Sequence, residues 1–525
     1  MSPSREDLAR DQQAWQTPQA RSIAVPKRLP LVNHLQTRVV GSVLTKDARL
    51  INCYAEYDPE DRAYWVYKRV GLAPTPSFSA VSTVPNGCYT DSATGAFLYS
   101  FGATLRAVNP FNGVNASTTI TGALGLLSFQ SMIAGGESKV AVLPPGQNVI
   151  WVVGGLGSGP VFNSYILPLA AGNLTVPGLA VLDGTLYVMD VQGNIFGSAI
   201  NDPTTWNALN VIEASSDADT GVALLKHLSY VVALKQYTTQ VFYDAGNTTG
   251  SPLRPVPEAQ LPFGCFNAYT VATIDNTALW LTYDNSVSPQ VVQMDNLSAK
   301  VVSTPAVERI LDEAGVSAGS TVINGQGGYG LYTSFYAMTL RHGGHRFYIL
   351  TSLSLNITLV YDIDQKLWYI WTDSQGNYWP VASISYQGPG ATSAGAVIPT
   401  AHYVQTSNTG EIFKLDDCYT YPTDYGTIVP MDIYTPNYDG GTTRRKYLRT
   451  MYIDGDKVPG FLQIRHSDDD FNTWSNFRSV DLSLKKPRLT RCGSFDRRRA
   501  YHFRYAAATG FRIRDVDLQM DIGTL

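Results

Sequence analysis

The sequence predicts an all-β protein built around a β-propeller of about six or seven blades. An aromatic-rich apolar strand, a polar turn and a second strand follow one another about seven times along the chain. Measured between one aromatic residue of each repeat, the steps are 52, 36, 43, 50, 68 and 55 residues, a spacing typical of propeller blades. These residues are Tyr99, Trp151, Tyr187, Tyr230, Trp280, Tyr348 and Tyr403. Blades stacked around an axis bury the faces that a single four-stranded sheet leaves open.

Changes in pattern divide the chain into four predicted regions. Residues 1–30 form an arm, because Ser4 is placed to cap a short helix and several prolines then favour extended chain. Residues 31–76 supply N-terminal strands that act as a platform or docking segment, and residues 77–425 form the propeller. Residues 426–525 alternate apolar and polar side chains, the period of half-buried antiparallel strands. They predict an additional antiparallel β-sandwich or barrel domain, which the N-terminal strands are candidates to join.

One helix interrupts the strand pattern of the predicted propeller. Thr304 is placed as its N-cap and Pro305 as its first helical residue, and Gly315 marks the predicted end. The apolar residues at helical spacing are Val307, Ile310, Leu311 and Ala314. A single helix among strands is expected to pack on a blade or on a neighbouring chain.

The composition predicts a surface that is poor in charge. Charged residues make up 16% of the 525 residues, and there are 31 tyrosines; ordinary soluble domains carry roughly 25% charged residues. The net charge is +3 over residues 1–149, −14 over 150–439 and +7 over 440–525. A polar surface that is easily desolvated favours packing against copies or partners, and an ordinary β-rich surface is the alternative.

Cysteine usage and hydropathy predict a protein made and kept in a reducing compartment. The five cysteines are far apart and form no C-x-x-C pair, which argues against a disulfide framework or a zinc site. They are Cys53, Cys88, Cys265, Cys418 and Cys492. The sequence has neither a signal-peptide core nor an apolar run of about 18 residues or more, so we expect no membrane insertion.

The most enzyme-like sequence is residues 467–474. It resembles the Asp-box turn S-x-D-x-G-x-T-W of sialidase propellers, with Phe471 in the glycine position. In that family the box is a structural hairpin turn away from the chemistry, so we expect a structural role here. A calcium site at the consecutive aspartates Asp468–Asp470 is the alternative, but neighbouring strand residues point in opposite directions.

No residue is assigned a catalytic, cofactor-binding or metal-binding role, and the protein is predicted not to be an enzyme. The close histidine pair His342 and His345 lacks further donors at ligand spacing, which favours a pair in a loop. The glycine-rich stretches 325–330 and 388–395 lack the P-loop pattern and are expected to be surface loops.

Basic residues near the C-terminus form the candidate interaction surface. They are Arg444, Arg445, Lys446, Arg497, Arg498 and Arg499. Arginine forks fit carboxylates and phosphates alike. We favour an interface with an acidic partner surface, including the acidic middle of a neighbouring copy, and contact with DNA phosphates is the alternative.

Several stretches, spread over about residues 45–515, resemble the tail hub of short-tailed bacteriophages (podoviruses), also called the nozzle or packaged-DNA stabilisation protein. One of them is Val66–Leu72, in which that family more usually has proline at the position of Val70. The others are Asp47–Glu56, Leu182–Gly184, Ser198–Leu209, Thr238–Asn247, Ser303–Glu308, Gly344–Leu350, Val360–Asp362, Trp368–Trp371, Ser467–Asp469 and Arg497–Tyr501. None is a catalytic motif, and their specificity lies in their order and number.

The resemblance implies a structural virion protein of the phage tail, synthesised in the cytoplasm of the bacterial host. Proteins of this family form a ring, usually a hexamer, below the portal and its adaptor, the head-to-tail connector. The ring continues the DNA channel, retains the packaged genome, opens for DNA ejection and anchors fibres, spikes and a needle or plug. The expected partners are therefore further copies of the chain, the adaptor, fibre or spike and needle proteins, and double-stranded DNA in transit; no cofactor is expected.

The charge distribution suggests how such a ring is arranged. We expect the acidic region 150–439 to line most of the channel, because phosphate that bound tightly would stall the DNA. The basic tail would then dock onto the adaptor or the neighbouring subunit. Two other classes stay open: a glycan-cleaving, sialidase-like propeller enzyme, which requires two convergent carboxylates, and a monomeric binding propeller.

Overall fold

The structure is a computed structural model that describes residues 27–36, 47–75, 78, 84–120, 125–215, 219–247, 249–284, 287–317, 335–391, 395 and 397–523. The predicted cap at Ser4 and the glycine-rich stretch 325–330 lie outside these residues. Strands dominate the described residues, which also contain one α-helix and two short 3₁₀ helices.

Five short strands precede the first blade. They are β1 (Lys27–Arg28), β2 (Arg49–Ile51), β3 (Cys53–Asp58), β4 (Ala63–Lys68) and β5 (Gly71–Pro74). β3 and β4 form a hairpin in which Cys53 lies opposite Lys68 and Asp58 opposite Ala63. In the second half of β4, the buried Val66 and Lys68 alternate with the half-buried Trp65 and Tyr67, as expected for a strand with one face on a core.

The first five blades are separate sheets of four antiparallel strands. Blade 1 contains β6 (Pro85–Thr90), β7 (Phe97–Phe101), β8 (Thr104–Val108) and β9 (Asn115–Thr119). Blade 2 contains β10 (Ser128–Ala134), β11 (Glu137–Leu143), β12 (Val149–Gly154) and β13 (Val161–Ile166). Blade 3 contains β14 (Ala180–Leu182), β15 (Thr185–Met189), β16 (Asn194–Ala199) and β17 (Asp202–Glu213). Blade 4 contains β18 (Gly221–His227), β19 (Tyr230–Lys235), β20 (Thr239–Asp244) and β21 (Leu253–Pro255). Blade 5 contains β22 (Ala272–Ile274), β23 (Thr277–Asp284), β24 (Val287–Asp295) and β25 (Ser298–Val301).

Blades 6 and 7 belong to larger sheets, because strands from outside the repeats extend them. Blade 6 contains β26 (Phe335–His342), β27 (His345–Ser352), β28 (Ile357–Asp362) and β29 (Leu367–Trp371). Blade 7 contains β30 (Val381–Gln387), β33 (Ala401–Thr406), β34 (Ile412–Asp416) and the N-terminal β5. The glycine-rich stretch 388–395, expected to be a loop, instead begins a small hairpin of β31 (Gly390–Ala391) and β32 (Val397–Ile398).

The N-terminal strand β5 closes the ring of blades. It pairs antiparallel with β34, with Leu72 opposite Leu415. On the inner side, the Gln405 side chain accepts a hydrogen bond from the Gly87 amide at 2.9 Å and donates to the Ser100 carbonyl at 2.8 Å, which joins blade 7 to blade 1. The propeller, predicted over residues 77–425, therefore takes its closing strand from residues 71–74.

The seven aromatic repeats correspond to seven blades, in the part of the chain that the structure describes. Six of the marker residues lie on the second strand of their blade, whereas Trp151 lies on the third strand of blade 2, which explains the uneven first two steps. The long step between Trp280 and Tyr348 is explained by the helix and the connection between blades 5 and 6.

Ten strands follow blade 7. They are β35 (Thr423–Asp424), β36 (Thr427–Ile428), β37 (Met431–Tyr434), β38 (Lys446–Gly455), β39 (Phe461–Ser467), β40 (Arg478–Asp481), β41 (Arg488–Thr490), β42 (Ser494–Phe495), β43 (Ala500–Tyr505) and β44 (Arg512–Ile522). The first two extend the sheet of blade 7 beyond β5. The other eight build the predicted second β-structure.

This second structure is a β-sandwich that contains N-terminal strands in both of its sheets. One sheet has the order β3-β4-β44-β38-β41, with β1 on β44 and β42 on β38. The other has the order β2-β37-β43-β39-β40, and it continues the sheet of blade 6, because Ile51 of β2 pairs with Ile370 of β29 in parallel. The predicted fold class, an all-β propeller with an additional antiparallel sandwich, is confirmed.

The single helix, α1 (Pro305–Ser317), begins at the predicted proline and continues two residues past Gly315, the predicted end. Val307, Ile310 and Leu311 are buried against apolar side chains of blades 5 and 6, so the helix packs on the propeller as expected. The two 3₁₀ helices, Pro257–Ala259 and Ala268–Thr270, lie in the connection between blades 4 and 5.

One apolar core runs from the sandwich into blades 6 and 7. Trp371 and Trp379 of the propeller and Phe503 of the sandwich belong to the same buried cluster. Leu29 and Leu31, which come before β2, are buried in it as well. The N-terminal strands and the sandwich are therefore packed onto one side of the propeller as a continuous body.

Candidate interaction surface

The six predicted basic residues meet at one corner of the sandwich, where the start of β38 pairs with β42. Lys446 lies opposite Phe495, and its ammonium donates to the carbonyls of Asp496 and Arg497 at 2.8 and 3.0 Å. Because Lys446 is fully buried, its ammonium group joins the start of β38 to the segment that follows β42. It is thus a structural residue of the corner and is not part of its outer surface.

Arg499 is also buried and structural. Its guanidinium forms a bidentate pair with Asp468 at 2.6 and 2.7 Å and donates to the carbonyls of Cys492 and Ser494. Burial acts to lower the pKa of Arg499, but the hydrogen bonds and the charge of Asp468 outweigh it, so the pKa rises above its ordinary value. A partner could not reach this side chain without unfolding the corner.

The other four basic residues are open to solvent to different degrees. Arg498 pairs with Asp470 at 2.5 Å and is partly exposed. Arg445 contacts the Ser494 hydroxyl at 3.2 Å and lies 3.5 Å from a carboxylate oxygen of Asp496, whereas Arg444 and Arg497 are exposed. The accessible part of the predicted surface is therefore Arg444, Arg445 and Arg497, which we call the basic corner.

The sequence resembling an Asp-box forms the hairpin turn between β39 and β40. The Asp469 carboxylate accepts hydrogen bonds from the Thr473 amide and hydroxyl at 2.9 and 2.6 Å and from the Ser467 hydroxyl at 2.8 Å. These bonds, above all those from Thr473, lower the pKa of Asp469 to about 2. Phe471 adopts φ of 68° in the glycine position, and its ring packs on Trp474. The carboxylates of this motif thus serve the turn and the pairs with Arg498 and Arg499.

The histidine pair was predicted to lie in a loop, but His342 ends β26 and His345 begins β27, and the two residues face each other across a two-glycine turn. His345 Nδ1 lies 2.7 Å from Asp362 Oδ2, and both groups are buried. His342 lies 3.7 Å from Asp417, and burial lowers its pKa. Among the described residues no group of three or more histidine, cysteine or acidic side chains is arranged to hold a metal ion.

A second buried histidine, His502 of β43, links polar side chains of the neighbouring strands β37 and β39 within one sheet of the sandwich. Arg465 Nε donates to His502 Nδ1 at 2.8 Å, so the ring proton lies on Nε2 and is donated to Asp432 at 2.6 Å. Burial lowers the pKa of His502, in agreement with this neutral form. The ring stacks on Tyr434 at 3.9 Å, and the arrangement fixes the packing of β37 against β43.

A cavity of about 580 Å³ lies between blades 5, 6 and 7 and is lined mostly by residues of their first strands. There Arg341 forms an exposed pair with Asp275 at 3.3 Å, and burial lowers the pKa of His402 to about 4. The cavity wall therefore contains an uncharged histidine and an ion-paired arginine at neutral pH.

Sequence reasoning missed the ion pair at the junction of propeller and sandwich. Arg69 forms a bidentate pair with Asp424 at 2.6 and 3.1 Å, and it also donates to Asn52 at 3.0 Å and to the Thr372 carbonyl at 2.9 Å. Both charged side chains are buried. The residues lie far apart in the sequence and share no motif, so local pattern gave no signal of the pair.

No helix in the described parts of the chain has the length and apolar character needed to cross a membrane. Strands supply nearly all of the regular structure.

Comparison with protein families gives a match to the model described as Bacteriophage P22 Gp10, beta-propeller, over residues 177–323. These residues include blades 3, 4 and 5. The resemblance to the tail hub family is confirmed. The match supports a structural protein of a bacteriophage tail, and therefore a place in the virion. A structural family of this kind suggests a protein without catalytic activity. No curated protein sequence matches the chain.

Solved structures with similar architecture share little sequence with the chain. The N-terminal domain of Nup159 is 9% identical with a TM-score of 0.39, covering 70% of this chain and 99% of that chain. BamB from Moraxella catarrhalis is 12% identical with a TM-score of 0.35, covering 70% and 98%. BBS1N in complex with ARL6DN, soaked with lead, is 10% identical with a TM-score of 0.40, covering 66% and 96%. At these scores the likenesses carry no argument about function.

Proposed function

We propose that this chain is the ring-forming nozzle of a short-tailed bacteriophage, placed below the portal and its adaptor. In this role a ring, of hexameric order, continues the DNA channel, retains the packaged genome, opens for ejection and anchors fibres, spikes or a needle. The observation that carries the proposal is the Gp10 match over residues 177–323, which falls on three consecutive blades of a closed propeller.

The junction between propeller and sandwich supports a role as a rigid subunit of a channel wall. The sheet of blade 6 continues through β2 into the sandwich, and the Arg69–Asp424 pair is buried at the same joint. Relative motion of the two parts would break sheet hydrogen bonds and separate the ion pair, and a buried charge left without its partner is strongly unfavourable. A subunit of this kind can hold its shape while DNA under pressure lies against it.

The distribution of charge supports two kinds of surface. Region 150–439 has a net charge of −14 and spans most of the blades, which suits a passage that repels DNA phosphates. The basic corner, in contrast, lies on the sandwich. We assign the acidic blades to the channel side and the basic corner to docking on the adaptor or on a neighbouring subunit.

Placement in the particle is the direct test. Virions in which the chain carries a small terminal tag should show the tag between the portal and the tail tip by electron microscopy, in a ring of rotational order. Particles lacking the chain should package DNA and then lose it. Absence of the chain from purified virions, or a single copy per tail, would rule out the nozzle.

Docking through the basic corner has its own test. A triple variant, Arg444→Glu, Arg445→Glu and Arg497→Glu, should melt close to the wild-type temperature, because all three side chains are exposed, yet should fail to join tails. The matched control is Arg254→Glu, Lys300→Glu and Lys366→Glu, which makes the same charge change at exposed blade residues. Normal incorporation of the corner variant would contradict docking, and retained assembly with faster DNA loss would point to phosphate contact.

A further inference from the structure

The cavity between blades 5, 6 and 7 has the size of a small-ligand site. Its volume is about 580 Å³, and ligand pockets in proteins measure roughly 300–1,000 Å³. β22, β26, β30 and β33 contribute to its wall, together with the turn after β22. The wall therefore combines three blades, and its chemistry differs from one side to the other.

Blades 5 and 6 form the polar side of the cavity. Arg341 of β26 lies 3.3 Å from Asp275, the first residue of the turn after β22. The Arg341 side chain is 66% exposed and that of Asp275 is 42% exposed, so each keeps donors or acceptors for groups beyond the pair. The Thr339 hydroxyl donates to the Thr273 carbonyl at 2.9 Å and keeps its lone pairs for another donor. This side thus offers neighbouring donors and acceptors.

Blade 7 forms the apolar and aromatic side of the cavity. Ile384 and Tyr386 are two positions apart on β30, so they point to the same face of the strand, and both line the cavity. Tyr386 is 55% exposed. His402 of β33 lies opposite Tyr386, and the two ring centroids are 5.1 Å apart. Because burial lowers the pKa of His402 to about 4, its ring is neutral at neutral pH and offers one donor and one acceptor.

The charges of the lining residues select the class of ligand. Asp275 and Arg341 balance each other and His402 is neutral, so the wall has no net charge. Arg346, which lies 3.9 Å from Asp275, is itself paired with Asp364 at 2.7 Å. An ionic ligand would bring an unbalanced charge to this pair, and a wholly apolar ligand would remove its water without replacing the hydrogen bonds. The cavity therefore favours a neutral ligand with several hydroxyl groups.

We propose that this cavity binds a short neutral saccharide. Sugar hydroxyls both donate and accept hydrogen bonds, which suits the Asp275–Arg341 pair. The C–H face of a sugar ring is suited to pack on the electron-rich face of an aromatic ring, here Tyr386. Asp275 is the one carboxylate among the described residues that line the cavity. Because glycoside hydrolysis ordinarily uses two carboxylates, the inferred activity is binding without cleavage.

Saturation-transfer NMR on the full chain measures the binding. The probes are glucose, galactose, mannose and N-acetylglucosamine, and the charged counterparts are the 6-phosphates of the same four sugars. At least one neutral sugar should receive saturation from the protein. Its 6-phosphate should bind more weakly, because the phosphate brings negative charge close to Asp275.

Two substitutions test the two sides of the cavity separately. Tyr386→Ala removes the exposed ring and should weaken binding by about tenfold, whereas Tyr386→Phe keeps the ring and should retain most of the affinity. Asp275→Asn removes the charged acceptor and should also weaken binding by about tenfold. Asparagine tolerates the left-handed backbone at this position, where φ is 49°.

The controls make the same changes outside the cavity. Asp183→Asn lies in the corresponding turn of blade 3, where φ is 46°, and Tyr243→Ala removes an exposed tyrosine of blade 4. Both controls should bind as the wild type does. All five variants should melt within about 1–2 °C of the wild type, because the substituted side chains are exposed.

Three results would overturn the proposal. One is the absence of binding by every neutral sugar at about 10 mM, a concentration that detects even weak sites. The others are tighter binding of a phosphorylated sugar than of its neutral parent, and unchanged binding by both Tyr386→Ala and Asp275→Asn. The inference does not depend on where the chain lies in the virion, so its failure would leave the proposed function intact.

Discussion

Blades 6 and 7, the covered side, are extended by N-terminal strands and the sandwich, whereas the outer strands of blades 2 and 3, the bare side, are sheet edges among the described residues. The two sides differ in which hydrogen bonds and ion pairs hold their chain segments in place. On the covered side, charged side chains join residues that are far apart in the sequence, as Arg69 and Asp424 do across 355 positions. On the bare side, carboxylates bind their own turns: Asp190 accepts from the amides of Gln192 and Asn194 at 3.0 and 2.8 Å. The covered side thus depends on chain ends that arrive from elsewhere, whereas each bare blade is largely complete in itself.

The largest loss of stability is expected at the ion pair that joins the N-terminal segment to the chain after blade 7. Arg69→Ala should lower the free energy of unfolding by about 3–5 kcal/mol, because it leaves the Asp424 charge buried without its partner. Urea unfolding monitored by tryptophan fluorescence measures the change. Arg341→Ala, which breaks the exposed pair with Asp275, is the control and should cost about 0–1 kcal/mol. Equal losses in the two variants would show that the covered side has no special dependence on this pair.

The basic tail contains a buried structural arginine, Arg499, and an exposed one, Arg497, within three positions. Arg499→Ala should cost about 2–3 kcal/mol, since charged hydrogen bonds to Asp468 and two carbonyls are lost. Arg497→Ala should change stability by about 0.5 kcal/mol or less, because its side chain is exposed. Thermal unfolding of the two variants separates a buried structural residue from an exposed one, and a stable Arg499→Ala protein would contradict the structural assignment.

The closing strand should tolerate no side chain at its first residue. A Cβ on Gly71 would lie 2.0 Å from the Tyr421 carbonyl oxygen and 2.6 Å from that of Thr423, so Gly71→Ala should cost about 1–3 kcal/mol. Gly388→Ala, where a Cβ would meet nothing within 4 Å, is the matched control. Calorimetry of both variants measures the difference, and similar melting temperatures would argue against tight packing of β5 on β35.

A turn on the bare side should matter less and only locally. Asp190→Asn keeps one carbonyl acceptor and should cost about 1 kcal/mol, the usual value of a hydrogen bond. Amide hydrogen exchange should speed up in blade 3 and stay unchanged in blades 6 and 7. Faster exchange throughout the molecule would show that the blades are less independent than their local turns indicate.

The smallest expected effect depends on pH. Burial lowers the pKa of His345, but the hydrogen bond and charge of Asp362 raise it more, so the folded pKa lies above the ordinary value. This contribution to stability is fully present below the unfolded pKa of about 6.5 and is lost as the pH rises through the folded pKa. His345→Gln should therefore flatten the decline in stability above about pH 6.5; a variant with a steeper decline would reverse the assignment.

The blades could be predicted from sequence because their signal is local. Tyr187, Tyr230 and Tyr403 mark strands that stand in the second position of their blades, and each such strand carries its own apolar pattern. The helix was predictable for the same reason, from Thr304 and Pro305. Its end was not, because helix ends fray around glycine and depend on tertiary packing.

The closing strand and the interaction surface could be predicted only in part. β5 ends in proline and is four residues long, so it looks like a boundary until its partner β34 is known. The clustering of Lys446 with Arg497 and Arg499 followed from their position in the basic tail, but burial of Lys446 and Arg499 depends on β38 pairing with β42. Burial of a charge is a property of tertiary contacts and leaves no mark in composition.

The position of the closing strand β5 in the sequence also delays closure of the propeller during synthesis. Leu72 leaves the ribosome some 340 residues before its partner Leu415, which at about 5–20 residues per second is a delay of roughly 20–70 s. During that interval the early blades can form one by one, but the propeller stays open and β5 must remain unpaired. Translation speed and chaperone supply would then limit how many finished subunits are available at a given time.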